Sequence, residues 1–254
     1  MTPLLEVREV SVRFDGVRAL DAVSFTVGQG ELVGLIGPNG AGKTTCLRAI
    51  TGALRPAGGR VLLDGRDLTG LPPHARVRLG LGLSQQLVRP FRSMTLAENV
   101  MLAAGLARTA RPLLALLQND RGRERARALE LLRRVGIEDA AGSRPATLPL
   151  GVLKRLEVAR ALALGPRLLL LDEPLAGLNS AEARTLADTI AVLNADGLTV
   201  VLIEHNLGEV LRICRRLVVL DNGVKIAEGV PQDVMAQRAV RAAYLGEGSD
   251  HAAA

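Results

Sequence analysis

The stretch "GPNGAGKT", Gly37 to Thr44, follows the apolar run "ELVGLI" and leads into a segment with helical spacing. A strand followed by a helix is the context in which the pattern G-x-x-x-x-G-K-[ST] binds phosphate. Its glycines let backbone N–H groups curl around the phosphate, while Lys43 reaches the β and γ oxygens and Thr44 offers a hydroxyl to Mg²⁺. A chance glycine turn would not combine strand, spacing and the Lys-Thr-Thr end. The stretch therefore predicts a nucleoside triphosphate site.

Two carboxylates close a second apolar strand, "RLLLLDEP", further along the chain. Buried carboxylates are costly unless they are paired or bound to a cation. Downstream of a phosphate loop, we interpret Asp172 as a Mg²⁺ ligand and Glu173 as the base that orients and activates water. Without that loop, the same ending would also fit a strand that runs into an acidic turn.

Three single residues lie where strands are expected to end. His205 closes "TVVLIEH" at the edge where ligands gather in open parallel sheets, so we interpret it as a γ-phosphate sensor, although a lone loop histidine is more often structural. Gln86, in "LSQQLVRPF", follows a short strand and can reach a metal ion and the attacking water. Phe14, near the end of the first strand, can stack on adenine. Taken alone, Gln86 and Phe14 would be ordinary polar-loop and strand-end residues.

Strand and helix patterns predict the fold class. Residues 5–36 alternate short β-branched runs with turns, and a strand pair with Asp64-Gly65 at its turn follows Gly58. After Pro166, apolar strands alternate with helices, and one final helix is expected after Pro231. This alternation implies a parallel sheet covered on both faces. We predict an α/β protein: a P-loop NTPase core with a mainly parallel sheet, an N-terminal antiparallel β subdomain and an inserted helical subdomain.

The inserted segment is rich in Ala, Leu and Arg, with helical spacing in "TLAENVMLAAGLAR" and in "RGRERARALELLRRVG", which stops at Gly136. We predict one domain, 1–254, in which 1–91 and 166–254 form the ATP-binding core with its β subdomain and 92–165 form the helical subdomain. The leucines of "TARPLLALLQND" fit either core packing or a partner-facing patch. Capping-box spacing is present at Asn179 with Glu182 and at Asn206 with Glu209.

Composition excludes several classes of protein. Apolar residues make up 48% and charged residues 23% of 254 residues, which is typical of a globular domain with a sizeable core. No stretch approaches the roughly 18 apolar residues of a membrane span, and the N-terminus lacks the pattern of an export signal. Two cysteines without metal-ligand spacing indicate buried, reduced thiols. The net charge of +6 comes with dispersed Arg, one Tyr and no Trp, so we expect no nucleic-acid partner.

The order of the motifs carries a family resemblance. The chain contains, in this order, the phosphate loop, a glutamine loop, the helical insertion, "LPLGVLKRLEVARAL", "LLLLDEP", "AGLN" and "IEH". In this order the whole chain resembles the nucleotide-binding subunit of ABC transporters. It looks most like the ATPase of branched-chain amino-acid importers, through "AGLN", "IEHN", "KIAEGVPQDV" and the closing "VRAAYLGEG"; paralogues for urea or aromatic compounds look similar.

The resemblance implies roles for single residues. Phe14 becomes the adenine-stacking position, Asn179 part of the intersubunit loop, and Gln86 the glutamine that couples nucleotide state to the membrane subunit, with Gln85 as the neighbouring alternative. The family also implies a head-to-tail dimer in which each ATP is held by one subunit's phosphate loop and the other's signature. The expected ATP-binding residues, besides Phe14 and Asn179, are Gly37, Asn39, Gly40, Gly42, Lys43, Thr44, Thr45, Leu148, Pro149 and Gly151.

The signature departs from the family pattern. Where the family has Leu-Ser-Gly-Gly-Gln, the chain reads "LPLGV", Leu148 to Val152. A hydroxyl hydrogen bond to a charged phosphate is worth about 1.5–3 kcal/mol, so its loss is expected to weaken ATP-driven closure by roughly one to two decades. A helix start at Gly151 and its N–H are kept, and Pro149 stands where no N–H is needed. We therefore expect a hydrolysing enzyme with a weaker clamp.

These expectations combine into one functional hypothesis. The chain is expected to hydrolyse ATP with Mg²⁺, as a homodimer or paired with a paralogous ATPase, bound peripherally to permease subunits on the cytoplasmic face of the cell membrane. A solute-binding receptor would act indirectly and, with the permease, determine the solute. The alternatives are a slow or regulatory ATP-binding subunit, against which Glu173 argues, and a soluble P-loop ATPase or kinase, for which no acceptor-binding lid is identified.

Overall fold

Two sheets form the framework of the protein. The computed structural model describes residues 3–14, 17–84, 89–109 and 121–245. The strands are β1 (Leu5–Phe14), β2 (Val17–Val27), β3 (Leu32–Ile36), β4 (Gly58–Leu63), β5 (Arg66–Asp67), β6 (Leu81–Ser84), β7 (Leu168–Asp172), β8 (Thr199–Ile203), β9 (Arg216–Asp221) and β10 (Val224–Gly229). An antiparallel sheet has the order β2-β1-β4-β5, and a second sheet has the order β10-β9-β3-β8-β7-β6. In the second sheet β9, β3, β8, β7 and β6 are parallel, and β10 is antiparallel to β9.

Helices follow most strands. They are α1 (Lys43–Thr51), α2 (Pro73–Arg78), α3 (Leu96–Thr109), α4 (Arg121–Arg134), α5 (Leu150–Ala163), α6 (Ser180–Ala195), α7 (Leu207–Ile213), α8 (Pro231–Ala236) and α9 (Arg238–Leu245), with 3₁₀ turns at Glu138–Ala140 and Pro145–Thr147. Helix α2 is absent from the sequence prediction. The single final helix expected after Pro231 is two helices, because the backbone of Gln237 is extended, with φ −67° and ψ 134°.

Alternate residues of the parallel strands enter two different cores. In β3, Leu32 and Ile36 pack with the helices α3 to α6, whereas Val33 and Leu35 pack with α1 and the antiparallel sheet. The same alternation continues in β7, β8 and β9. A sheet buried on both faces requires apolar residues at every position, which explains the unbroken runs "LLLL" and "TVVLI". The predicted α/β fold with a mainly parallel sheet and an antiparallel β subdomain is confirmed.

In segment 92–165, the regular elements that the structure describes are helices and 3₁₀ turns, and α3, α4 and α5 pack on one another. Most of "TARPLLALLQND" lies outside the described residues. The division of the chain into subdomains at 91 and 165 stays a prediction. Within the described residues, no helix combines the length and the apolar character needed to cross a bilayer.

Local predictions from caps and cysteines are largely confirmed. Asn179 and Glu182 form a complete capping box, with Glu182 N–H donating to Asn179 Oδ1 at 2.9 Å and Asn179 N–H donating to Glu182 Oε2 at 3.2 Å. At α7 the side chain of Asn206 accepts from Glu209 N–H at 3.5 Å, while the Glu209 carboxylate pairs with Arg212 instead. Both cysteines are buried and free, and burial raises the pKa of each thiol to about 12.

A buried arginine holds the far end of α1, the helix that follows the phosphate loop. Arg76, in α2, is 1% exposed, and its guanidinium donates to the carbonyl oxygens of Ala49 and Ile50 at 2.7 Å each. It also donates to the carbonyl oxygens of Leu71 and Thr69. A cation at the carboxyl end of a helix is favoured by the helix dipole and satisfies carbonyls that have no partner within the helix. Arg76 thereby fixes α1 to the segment that leads into β6.

Candidate functional site

The expected catalytic elements meet at one edge of the parallel sheet. Strand β8 lies between β3 and β7, and Ile203, its last residue, pairs with Leu35 on one side and with Asp172 on the other. The carboxyl ends of three parallel strands therefore lie side by side. The phosphate loop follows β3, Glu173 follows β7, and His205 follows β8 by two residues. The structure thus brings these predicted groups together, as required of an open parallel sheet.

Glycine is required at two points of the phosphate loop. Gly37 has φ 151°, and a Cβ there would lie 2.1 Å from the carbonyl oxygen of Leu220. Gly42 has φ 99°, and its Cβ would lie 2.7 Å from the carbonyl oxygen of Ala19 in β2. A side chain at either position would combine a left-handed backbone with a clash against another strand. The loop is therefore held tightly between β9 and the antiparallel sheet.

Lys43 and the start of α1 place positive charge at the loop. Lys43 is 7% exposed, and its ammonium donates to the carbonyl oxygens of Gly37 at 2.6 Å and of Pro38 at 2.8 Å. The first turn of α1 contains no acidic residue, so its N–H groups and the helix dipole face the loop without a competing carboxylate. Asn39, Gly40 and Thr44 are exposed, Thr45 is half-buried, and a Cβ on Gly40 would have no neighbour within 4 Å. This cradle fits a phosphate group.

Asp172 is a half-buried carboxylate at the end of β7. Burial raises its pKa and the neighbouring Glu173 raises it further, while Arg48, Lys154 and Lys43 act in the opposite direction. A dication would relieve this crowding of negative charge. Among the described residues, no group of three or more His, Cys, Asp or Glu side chains could hold a metal ion alone. Mg²⁺ commonly uses one or two carboxylates together with phosphate oxygens, so Thr44 and Asp172 fit a nucleotide-bound Mg²⁺.

Glu173 is held in an uncommon backbone conformation. Its φ is 47°, in the left-handed region that non-glycine residues rarely adopt. Its N–H donates to the carbonyl oxygen of Ile203 at 2.9 Å, and its carbonyl oxygen accepts from Ala176 N–H and from the Lys154 ammonium, each at 3.2 Å. Three hydrogen bonds to the backbone of Glu173 thus fix the position from which its carboxylate projects. Its Oε2 lies 3.8 Å from Nδ1 of the exposed His205.

Sequence reasoning overlooked Glu204 and Lys154, which lie beneath these groups. Glu204 is fully buried and Lys154 is 5% exposed. The signal for Glu204 was available, because an acidic residue directly follows the apolar run "TVVLI" and precedes His205. Lys154 lies three residues after Gly151 and four before Val158, on one face of α5, and both of those neighbours are buried. A cation inside the apolar stripe of a helix indicates a buried partner.

Phe14 lies at the tip of the β1–β2 hairpin. Its side chain is 46% exposed, and the residue pairs with the 69% exposed Val17. The hairpin is fixed near the phosphate loop, because Ala19 in β2 lies against Gly42. Asp21 N–H, also in β2, donates to the carbonyl oxygen of Gly223 at 2.8 Å, and Gly223 N–H donates to that of Ala41 at 3.1 Å. An exposed aromatic ring on a fixed hairpin is available for stacking on a base. Its role in binding adenine stays a prediction.

The signature forms the start of α5. The helix begins at Leu150, one residue before the predicted start at Gly151, because Pro149 is its N-cap, with φ −61° and ψ 156° and no side-chain cap bond. The Pro149 carbonyl oxygen accepts from Val152 N–H at 3.1 Å and from Leu153 N–H at 3.2 Å. Pro149 and Leu150 are exposed, whereas Leu148 is half-buried. As predicted, the proline stands where a helix needs no N–H.

The signature packs on the turn that follows Glu173 in the same chain. Gly151 is buried, and a Cβ on it would lie 3.0 Å from Oε1 of Glu182, the carboxylate of the capping box. Cδ2 of Leu150 lies 3.0 Å from the point where a Cβ on Gly177 would stand. Asn179 caps α6 with its side chain and is exposed. Gln86 and Gln85 lie outside the described residues.

Comparisons with known proteins agree with this arrangement. A model of the ABC transporter family matches residues 20–176, and one for the branched-chain amino acid ATP-binding cassette transporter matches residues 224–250. The chain is 38% identical over 251 residues to the high-affinity branched-chain amino acid transport ATP-binding protein BraF of Pseudomonas aeruginosa, covering 96% of this chain and 98% of BraF.

Solved structures show the same fold. The ADP conformation of MJ1267, an ATP-binding cassette of an ABC transporter, superimposes with a TM-score of 0.86 at 29% identity, covering 97% of this chain and 100% of that chain. The dimeric post-hydrolysis state of the ATP-binding cassette MJ0796, bound to ADP and Pi, gives a TM-score of 0.76 at 26% identity, covering 89% of this chain and 98% of that one. From its phosphate loop, its strand-end carboxylates and these similarities, the chain belongs to the ABC transporter family of ATP-binding proteins.

Proposed function

We propose that the chain hydrolyses ATP to energise an importer of branched-chain amino acids. The observation that carries hydrolysis is the pair formed by Glu173 and His205 at the sheet edge beside the phosphate loop, with 3.8 Å between Oε2 and Nδ1. The names of the relatives and the match over residues 224–250 support the solute class. A purely regulatory subunit would have no use for a carboxylate held in this way.

Different residues of the site would bind the phosphates, hold Mg²⁺ and activate water. The N–H groups at the start of α1 and the Lys43 ammonium would bind the β- and γ-phosphates. Thr44 and Asp172 would hold Mg²⁺, which when bound supplies positive charge to the phosphate oxygens. Glu173 would accept a proton from the attacking water, and His205 would orient the γ-phosphate from the neighbouring strand end. Gln86 would couple this site to the membrane subunit.

The complete site requires a second subunit. In a head-to-tail dimer, the exposed Pro149 and Leu150 would face the nucleotide on the partner, with Leu148, Gly151 and Asn179 behind or beside them. The dimeric structure of MJ0796 supports such an assembly. We propose a homodimer or a heterodimer with a paralogous ATPase, bound peripherally to permease subunits on the cytoplasmic face of the cell membrane. A solute receptor would act through the permease.

Hydrolysis is tested with one conservative substitution. The purified chain, alone and together with co-purified permease subunits, should hydrolyse Mg-ATP, and Glu173→Gln should lower kcat by at least about 100-fold while ATP binding persists. Glu130→Gln is the matched control, because Glu130 is an exposed helix residue whose carboxylate pairs with the neighbouring Arg133. Equal rates for the wild type and Glu173→Gln would contradict the proposal.

The solute and the membrane partner need separate measurements. Tagged chain should co-purify with multi-span permease subunits, and vesicles containing the complete assembly should take up leucine, isoleucine or valine in an ATP-dependent manner. Uptake of urea or aromatic compounds instead would reassign the solute. Recovery of an active ATPase that never associates with a permease would favour a soluble P-loop ATPase.

A further inference from the structure

We propose that Glu204 is a positioning residue for hydrolysis, which acts by tying the turn that carries His205 to the turn that follows Glu173. The inference rests on the proposed function, since it assigns a role within the same ATPase site. Glu204 is not among the residues proposed to contact ATP. It lies beneath the site, in the interval between strand β8 and helix α7.

The two oxygens of Glu204 bind two different loops. Oε1 accepts from the backbone N–H of Leu175 at 2.6 Å, and Oε2 accepts from the backbone N–H of His205 at 3.2 Å. Oε2 also lies 3.9 Å from Nδ1 of the His205 ring. Leu175 is two residues after Glu173. One carboxylate therefore spans the ends of β7 and β8, where the proposed base and the proposed phosphate sensor leave their strands.

Only a carboxylate of this length can make both bonds. Both partners are N–H donors, so each side-chain oxygen must be an acceptor. Glutamine would keep one acceptor and present an amide donor to the other N–H, and aspartate would withdraw both oxygens by one methylene. Glu204 is fully buried, so water cannot replace the lost bond. Burial raises the pKa of Glu204, which the backbone N–H groups of Leu175 and His205 partly offset.

A buried cation supports the same arrangement from a third element. Lys154, in α5, donates to the carbonyl oxygen of Glu173 at 3.2 Å. Burial lowers the pKa of Lys154, and the carboxylates of Glu204, Glu173 and Asp172 act against that shift. The positive charge of Lys154 thus balances part of the negative charge of these three carboxylates. Without it, a buried Glu204 carboxylate would be expensive to keep.

The principal test is Glu204→Gln in the purified full-length chain, with its permease subunits where these co-purify. We expect kcat for ATP hydrolysis to fall at least about tenfold, with the KM for ATP within about twofold of wild type, because Glu204 makes no bond to the phosphate loop in the described contacts. The matched control is Thr199→Val at the other end of β8, where the buried hydroxyl accepts from Gly30 N–H at 2.9 Å. This control should lose thermal stability and keep its kcat.

A double-mutant cycle separates positioning from a general structural effect. If Glu204 acts through His205, then Glu204→Gln should lower kcat by less than about twofold in a His205→Ala background. Additive losses, or a wild-type kcat in the single variant, would overturn the inference. If Glu204→Gln does not fold, Glu204→Asp provides the same cycle with the charge kept. An inactive wild-type chain would instead contradict the proposed function, so the two failures are distinguishable.

Discussion

The ammonium of Lys154 donates a hydrogen bond to the backbone carbonyl oxygen of Glu173 across 3.2 Å. This bond joins the helix that begins with the signature to the residue proposed as the catalytic base. Lys154→Met keeps the length of the side chain and removes its charge. We expect kcat to fall about tenfold and the free energy of unfolding to fall by about 3 kcal/mol, because the substitution leaves the buried Glu204 carboxylate without the positive charge that balances it.

Two further lysine variants make this prediction specific. Lys154→Arg keeps a cationic donor and should retain most of the activity, whereas Lys225→Met applies the same substitution at a lysine on β10, paired with Glu228, and should leave kcat unchanged. Rates are measured by steady-state phosphate release and stability by thermal denaturation. Wild-type turnover in Lys154→Met would show that the bond to Glu173 is dispensable.

Pro149→Ser should strengthen ATP-dependent dimerisation. In a Glu173→Gln background, which traps ATP, the restored hydroxyl should lower the dimer dissociation constant by about tenfold, since a hydrogen bond to a charged group is worth about 1.5–3 kcal/mol. Sedimentation velocity at several protein concentrations measures the constant.

The control for this variant uses another proline in the same structural position. Pro72 is the exposed N-cap of α2, with φ −70° and ψ 161° and no side-chain cap bond. Pro72→Ser adds a helix cap far from the signature, so it should raise thermal stability without changing dimerisation. If Pro149→Ser did not change the dimer dissociation constant of the Glu173→Gln protein, the missing serine hydroxyl would not be what weakens dimerisation.

Arg76→Met should destabilise the protein strongly. The variant leaves the carbonyl oxygens of Ala49 and Ile50 buried without their charged donor, and a loss of about 3 kcal/mol in the free energy of unfolding is expected. Urea denaturation measures it. The exposed Arg78 of the same helix gives the control, because Arg78→Met should change stability by less than about 0.5 kcal/mol. Similar values for the two variants would contradict the assigned role.

The pair formed by Arg216 and Glu31 should contribute to stability in a pH-dependent way. The guanidinium binds both carboxylate oxygens of Glu31, at 2.5 and 2.7 Å. Burial opposes the ionisation of Glu31, but hydrogen bonds from Arg216 and from Gly28 N–H hold its pKa below the ordinary value of 4.5. A lowered folded pKa stabilises the protein above the unfolded value, and this contribution disappears as the pH falls through the folded one.

The corresponding variant is Arg216→Met. Its deficit in unfolding free energy relative to wild type should be largest near neutral pH and should shrink below about pH 4.5. The control is Arg133→Met, which breaks an exposed pair with Glu130 and should cost at most about 0.5 kcal/mol at any pH. A deficit for Arg216→Met that does not change with pH would mean that Glu31 is not the partner that matters.

The sequence predicted those features that depend on local pattern. The run from Leu32 to Ile36, the glycines of the phosphate loop and the helix from Lys43 are all encoded within one short stretch, so fold class and site edge could be inferred together. Asp172, Glu173 and His205 followed because strand ends in a parallel sheet share one edge. Their catalytic roles stay predictions.

Features that depend on contacts between distant segments were missed. The bond from Leu175 to Glu204 spans 29 residues, that from Lys154 to Glu173 spans 19, and that from Arg76 to Ala49 spans 27. No periodicity encodes such pairs, because one partner in each bond is a backbone group and the other is a single polar side chain. The extended backbone at Gln237, which divides the final helix, likewise has no marker in composition.

The contact between Leu150 and Gly177 changes the meaning of the substituted signature. Leu150 stands where the family has a more flexible glycine. Its side chain packs on Gly177, in the turn after Glu173 of its own chain. We therefore expect the loop to be ordered before a partner binds, so that the entropy of fixing it is lost during folding rather than during closure. Preorganisation of this kind would offset part of the affinity lost with the serine hydroxyl, and it would make closure depend less on ATP for shaping the interface.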